Sequence, residues 1–412
     1  MSASFKKLLL LVISLFATMT LSAQTDSVRL GYVVRGTVLD GGSGRPVESV
    51  HVSLPGRHYA TVTNADGFFS IKSDSRIDKI VFSCLGYKTL YKEVDSDFIK
   101  VRLYPEPYML NEASIVSGAP LDIVHAAIDR IRDNYSDHPE LLECFYRETI
   151  RKRNRYTYVS EAVAKMYKDA YDGYITRDRT ALEKSRVLLS QRRSDTLSVK
   201  VQGGPTQAMV FDVVKNSGFL FNDEEMSLYR FEMGTPAYIG DRLQFVIHFH
   251  PFDQESSEWA LYHGTMYIDR EKLYFTRIEM SLDMSDAQKA LRLMVVRKPR
   301  ALRMIPKEMS IVVSYRDDGE KCRLEYFRST LRFNCDWRKR LFATSYTAVN
   351  ELVVTDLREK AVQIPRAEMF RTTDILSDRS AEFRDPDFWK DYNIIEPSES
   401  LEHAIDRLKK QQ

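Results

Sequence analysis

Residues 34–54 read VRGTVLDGGSGRPVESVHVSL, and this stretch decides the first part of the fold. Tyr32 to Leu39 has the composition of a strand. Asp40-Gly41-Gly42-Ser43-Gly44 is a turn cluster, because glycine tolerates positive φ. Val50 to Leu54 then alternates apolar and polar residues. Working outward, Ala60–Thr63 and Gly67–Ile71 flank a second turn, Asn64-Ala65-Asp66-Gly67. Lys79 to Cys84 is an apolar strand closed by Gly86-Tyr87. Short strands separated by turns at close intervals predict a β-sandwich.

With TVTNADGFFSI and IVFSCLGYKTL added, the pattern resembles the carboxypeptidase-regulatory-like module. Gly36 and Val38 match its opening strand, and Gly44, Arg45 and Pro46 its first turn. Val50 and Val52 match its second strand, Asp66, Gly67 and Phe69 its central segment, and Gly86 and Tyr87 its closing pair. Asn64 departs from the family, which usually has Asp there; Asn also caps turns. The resemblance implies a transthyretin-like sandwich of about seven strands and no catalysis of its own.

The N-terminus predicts export. Lys6 and Lys7 precede an apolar run, Leu8 to Met19, and Ala23 offers a small residue at a cleavage point, which assigns residues 1–23 to a signal peptide. That run falls short of the roughly 20 residues a membrane span needs, and no later segment reaches that length. No cysteine lies near Ala23, so a lipid anchor is not expected; the nearest is Cys84. The chain carries 60 basic and 58 acidic side chains, and loss of Lys6 and Lys7 leaves the two balanced. A balanced chain has no global field to attract nucleic acid. The expected location is the periplasm, the outer-membrane surface or the medium.

The module is expected over residues 31–104, a linker over 105–120 and a second domain over 121–412. Ile123, Val124, Ala127, Ile128 and Ile131 recur at helical spacing and predict a helix over 121–134, with His125 on its surface or at an interface. Further helices are expected at 206–215, 286–294 and 398–410. Strict alternation elsewhere predicts an antiparallel sheet with one buried face. Leu243, Phe245, Ile247 and Phe249 share one side; Ile278, Met280, Leu282 and Met284 another; Cys322, Leu324 and Tyr326 repeat the pattern. Asp269-Arg270-Glu271 and Asp317 to Glu320 read as hairpin links. The fold class is therefore mainly β (α+β), a seven-stranded sandwich followed by a curved antiparallel sheet with a few helices. AAIDRIRDNY, FYRET, YVSEAVAKMYKDAY and FWKDYNIIEP resemble segments of secreted proteins of Gram-negative bacteria that carry the regulatory module. The hairpin series with GTMYIDREKLYFTRIEM resembles the curved sheet of periplasmic lipoprotein carriers, which implies an apolar groove.

Catalytic motifs do not emerge. No His is followed by Glu at zinc-peptidase spacing, and G-x-S-x-G, P-loop and dinucleotide fingerprints are missing. The best metal candidates are His248, His250 and Asp253, with Glu255 and His263 nearby; the alternative is a polar strand face running into a loop. Met266, Met280, Met284 and Met294 either line an apolar groove or belong to the core. Cys322 and Cys335 are open to pairing in an oxidising compartment, but the expected long strand sets them too far apart along its length to bridge. No cofactor is expected. The function expected is a non-enzymatic envelope protein that docks through its module and binds an envelope partner or an apolar ligand; the alternative is a hydrolase with an unrecognised site.

Overall fold

The computed structural model describes residues 31–106, 119–192, 195, 202–216, 218, 220–252, 257–294, 302–337, 343–358, 360–382 and 388–411. The expected signal peptide, most of the expected 105–120 linker, Asp253 and Glu255 lie outside the described residues.

Seven strands build the sandwich: β1 (Tyr32–Asp40), β2 (His51–Ser53), β3 (Ala60–Val62), β4 (Phe68–Ser73), β5 (Lys79–Ser83), β6 (Leu90–Glu93) and β7 (Phe98–Leu103). They form a three-stranded sheet, β4-β1-β7, and a four-stranded sheet, β3-β2-β5-β6. Val38, Val52, Phe69, Ile80, Phe82 and Val101 fill the space between. Phe69 and Phe82 meet edge to face with ring centroids 5.3 Å apart. Two of the glycines in the sequence pattern are sterically required. A Cβ on Gly36 would sit 2.2 Å from the Ile99 carbonyl of β7, and Gly67 has φ +70° with its missing Cβ 2.3 Å from the Val38 carbonyl.

The second part is a curved twelve-stranded sheet. Its strands are β8 (Glu140–Lys152), β9 (Arg155–Lys168), β10 (Arg179–Leu189), β11 (Tyr229–Met233), β12 (Ala237–Ile239), β13 (Arg242–Pro251), β14 (Tyr262–Asp269), β15 (Phe275–Leu282), β16 (Leu302–Asp317), β17 (Cys322–Trp337), β18 (Thr344–Arg358) and β19 (Ala381–Glu382). Their order is β11-β13-β14-β15-β16-β17-β18-β8-β9-β10-β19, with β12 also on β13. Pairing is antiparallel except for the short β10–β19 contact. The predicted helices are present but shorter or broken: Pro120–Asp129 then Ile131–Asn134, Gln207–Val210, Ala287–Met294 and Glu399–Lys409.

The inner face of this sheet is covered by its own chain. Val124 and Ala127 from the first helix, and Met209, Val213 and Phe221, pack on Tyr146, Ile247, Met280 and Ile311. Met266 and Met280 are buried in this cluster, while Met284 and Met294 pack against it half-buried, which places the methionines in the core. A buried Lys168–Asp212 ion pair and a 2.8 Å hydrogen bond from Tyr315 Oη to Asp212 Oδ1 pin the 207–216 segment there.

The outer face carries the module. Between the two runs a strap, residues 388–397. Phe388, Trp389, Ile394 and Ile395 pack with Val62 of the module and Phe145, Val163 and Val353 of the sheet. The Asn393 amide pairs with both backbone groups of Lys72, accepting at 2.7 Å and donating at 3.0 Å, so it occupies the free edge of β4. Lys72 Nζ donates to the Trp389 and Tyr392 carbonyls, both at 2.7 Å.

One sequence expectation is corrected. Cys322, Leu324 and Tyr326 do not share a face. Tyr315 pairs with Leu324 but Ser314 pairs with Tyr326, so Glu325 is an extra residue, a β-bulge. Leu324 and Phe327 point into the inner cluster, whereas Tyr326 joins the cluster under the strap. Alternation counts every residue equally and cannot register an insertion in one strand of a pair.

The departure at Asn64 also has a physical reason. Its Oδ1 accepts from the Asp66 and Phe68 amides at 2.9 and 3.0 Å, and its Nδ2 donates to the Pro397 carbonyl of the strap at 2.9 Å. Asp could make the first two bonds but would face that carbonyl with a second acceptor. Asn64→Asp is therefore expected to cost about 1–3 kcal/mol in urea unfolding at pH 7, and an unchanged midpoint would refute the strap contact.

Candidate functional site

Two of the seams between the module and the sheet flank a cleft. At one, Leu85 bridges to Ile239 of β12, and the Gly86 amide donates to the Tyr238 carbonyl at 3.1 Å. At the other, Arg328 reaches Glu48 at 2.8 Å, and His51 Nδ1 lies 3.2 Å from Glu325 Oε2 without hydrogen-bond alignment. Between the seams is a cleft of about 590 Å³, whose walls include Ser53, Ser83, Tyr91, Arg277, Ser314 and Arg316. That volume falls in the range of small-molecule sites, about 300–1,000 Å³.

The bulge builds one wall. It turns two successive residues, Glu325 and Tyr326, toward His51: the carboxylate forms the ion pair, and the phenol ring meets the imidazole edge-on at 5.9 Å. Glu325 is also 3.6 Å from Arg316. Burial would raise its carboxyl, but His51 and Arg316 outweigh burial and hold it below the ordinary range. Asp317 is likewise held down despite burial, by Lys272, the Gly319 amide and Arg242.

The seam at Glu48 is the end of a longer structure. Arg328, Glu351, Arg147, Glu161 and Arg186 are direct register partners across five neighbouring strands, β17-β18-β8-β9-β10. Arg328 lies 3.4 Å from Glu351, and Glu161 is 2.7 Å from both Arg147 and Arg186. The Trp389 indole also donates to Glu161 at 3.1 Å, and Arg147 donates to the Ile395 carbonyl at 2.6 Å. Burial opposes ionisation of Glu161, yet the two guanidiniums keep its carboxyl below the usual value. FYRET, YVSEAVAKMYKDAY and FWKDYNIIEP thus converge here, supplying Arg147, Glu161 and Trp389 in turn.

One residue along each strand, on the opposite face, lies a second polar row: Ser329, Asn350, Glu148 and Ser160. The Asn350 amide donates to Ser329 Oγ at 2.9 Å, and Tyr146 Oη donates to Glu148 at 3.1 Å. Glu148 has no cationic partner among the described residues. Burial pushes its carboxyl up to about 7, against the opposing pull of the Tyr158 and Tyr146 hydroxyls.

The predicted metal candidates assemble differently. His248 Nδ1 is 3.0 Å from Thr265 Oγ1, and a Cβ on Gly234 would lie 2.5 Å from His248 Nε2, so both ring nitrogens face neighbours. His250 Nε2 is 3.6 Å from Glu232. Among the described residues no three His, Cys, Asp or Glu side chains are grouped to hold a metal ion. His125 is exposed on its helix. Cys322 and Cys335 stand on the same strand, β17, and all four cysteines are free thiols. Among the described residues no helix is long and apolar enough to cross a membrane.

Residues 34–115 match the CarboxypepD_reg-like domain, so the chain carries that domain at the place where the sandwich stands. No curated protein matches the chain. Among solved structures, a LolA superfamily protein from Nitrosomonas europaea aligns with 62% of this chain and 99% of its own, at 9% identity and a TM-score of 0.22. A DUF1329 family protein from Desulfovibrio piger aligns with 61% of this chain and 97% of its own, at 7% identity and a TM-score of 0.24. At these scores the likeness carries no argument about fold or ligand.

The row at Glu148 yields a signed pH effect. Its carboxyl holds a proton up to about pH 7 in the fold but only to about 4.5 when unfolded, so its contribution is full below 4.5 and declines as pH rises to 7. Glu148→Gln removes that decline. The variant is expected to match the parent at pH 4 and to exceed it by about 3 kcal/mol at pH 8 in chemical denaturation; equal stability at both pH values would refute the assignment.

Proposed function

We propose that this chain, whose residues 34–115 match the CarboxypepD_reg-like domain, is an exported, non-enzymatic binding protein of the cell envelope. The module serves as a fixed wall of the ligand site. The observation that carries this reading is the cleft itself, with one wall from the sandwich and the other from the bulged β16–β17 pair. Both walls are held by strand pairing and by the bonds across the seams before any ligand arrives. A preorganised site loses little free energy to ordering on binding. Lys6, Lys7, the apolar run to Met19 and Ala23 support export.

The hydrolase alternative is less well supported, for an electrostatic reason. A general acid needs a raised carboxyl, and the cleft carboxylates Glu325 and Asp317 are both lowered by cations. Carboxyls raised by burial lie elsewhere, among them Glu148, beside Tyr146, and Glu143, which burial pushes to about 6 and which is bound to Arg358. An apolar ligand on the inner face would have to displace Met209, Val213 and Phe221, which pack there.

Native mass spectrometry of protein purified from the envelope or medium of its producing cells is expected to find a non-covalent small-molecule adduct. Ser53→Trp, which fills the cleft, is expected to lose it. Protein retained in the cytoplasm with residues 1–23 intact would refute export. An adduct-free parent protein would refute the binding role.

A further inference from the structure

We infer that the cleft between the module and the sheet takes an uncharged, hydroxyl-rich ligand, a short saccharide. The inference rests on the binding role proposed above and names the ligand class for the same site.

The first argument is charge. The basic groups on the walls already have carboxylate partners. Arg242 lies 3.2 Å from Asp269 and 3.3 Å from Asp317, and Arg277 lies 2.6 Å from Glu279. Arg316 and His51 share Glu325 at 3.6 and 3.2 Å. An anionic ligand would have to displace a resident carboxylate, and a cationic one a resident guanidinium everywhere but at the solvent-exposed Asp241. Either exchange replaces an existing pair and gains little, so the walls favour a ligand without charge.

The second argument is hydrogen-bond capacity. A guanidinium offers five N–H donors in a fixed plane, and a carboxylate about four acceptor sites. Arg277 directs Nε to Glu279 and Nη1 to Ser314 at 2.6 and 3.2 Å, which leaves donors on the same rigid fork. Asp241, exposed on the cleft wall, has no ion-pair partner among the described residues. Ser53 and Ser83 add hydroxyls that donate and accept. Held donors beside held acceptors suit vicinal hydroxyls, each of which does both.

The third argument is the apolar share of the walls. Tyr91 is 57% exposed at this site, and Val81, Leu85 and Ile239 are part-exposed there. A sugar ring presents a C–H face as well as a hydroxyl edge, and can cover such groups while satisfying the polar ones. A lipid tail would cover the unfilled Arg277 donors and the Asp241 carboxylate without giving them partners, at about 1–3 kcal/mol for each group.

The test uses the full mature chain in isothermal titration calorimetry. The probes are maltose, cellobiose and N,N′-diacetylchitobiose, with trigalacturonate, trilysine and trialanine as charged and peptide counterparts. Saturable binding of at least one neutral disaccharide is expected. Tyr91→Ala and Arg277→Lys, which keeps the charge facing Glu279, are each expected to weaken it about tenfold. Matched thermal unfolding of the variants separates lost contacts from lost folding. Binding of a charged or peptide probe alone would overturn the assignment to an uncharged saccharide while leaving the cleft a binding site. Silence from all three neutral sugars would overturn the saccharide class as well, and the small-molecule adduct found or missed by native mass spectrometry then decides the binding role separately. Neutral-sugar binding that both variants leave unchanged would place the sugar outside the cleft and also overturn the inference.

Discussion

The buried charge row on the outer face of the large sheet is the constraint on which the rest of the molecule depends. Arg328, Glu351, Arg147, Glu161 and Arg186 alternate in sign across five strands. Arg147 and Glu161 are almost fully buried, at 3% and 1% exposure. Taking such ions out of water costs several kcal/mol each unless every one is paired and its remaining hydrogen bonds are filled. The sheet cannot do this alone. The strap supplies the Trp389 indole and the Ile395 carbonyl, and the module supplies Glu48. Covering the row therefore brings sheet, strap and module together in one arrangement.

That arrangement in turn makes the cleft. The module is held down where the row ends and where Val62 packs on the sheet, and it meets the sheet again at the β12 seam. The bulge at Glu325 lies between, turning a carboxylate and a phenol toward His51. A sheet without the bulge would present Glu325 or Tyr326 to the module, but not both. The same middle zone is polar on the inner face, where Ser329, Asn350, Glu148 and Ser160 line up. A one-residue slip of any of these strands would exchange the two rows. It would place Glu148 or Asn350 among the cations and Arg147 among apolar side chains, so the paired rows specify register in the widest part of the sheet.

Some of this was legible in sequence. Gly36, in strand β1, and Gly67, in a turn, stand where only glycine fits, and such positions helped make the module recognisable. The alternation of Leu243 to Phe249 and of Ile278 to Leu282 reports a one-sided core, and those side chains do point into it. The candidate His248 and His250 were selected by spacing along one strand, but spacing says nothing of Gly234 and Thr265 across the pair. Arg147, Glu161 and Trp389 drew attention only as parts of recurring words. No local rule marks an Arg or Glu as buried when the residues that bury it lie 228 and 248 positions away in sequence.

The sequence by itself determined the β-sandwich, the antiparallel character of the second part and the near-balance of charge. Those follow from side-chain alternation, turn sterics and composition, which act over a few residues. Only the tertiary structure decided that the module lies on the outer face of the sheet and that the final segment is a strap beneath it. It also decided that the departure at Asn64 is a donor for Pro397. The physical reason is the same in each case: desolvated polar groups must find partners, and here the partners are far apart in the chain.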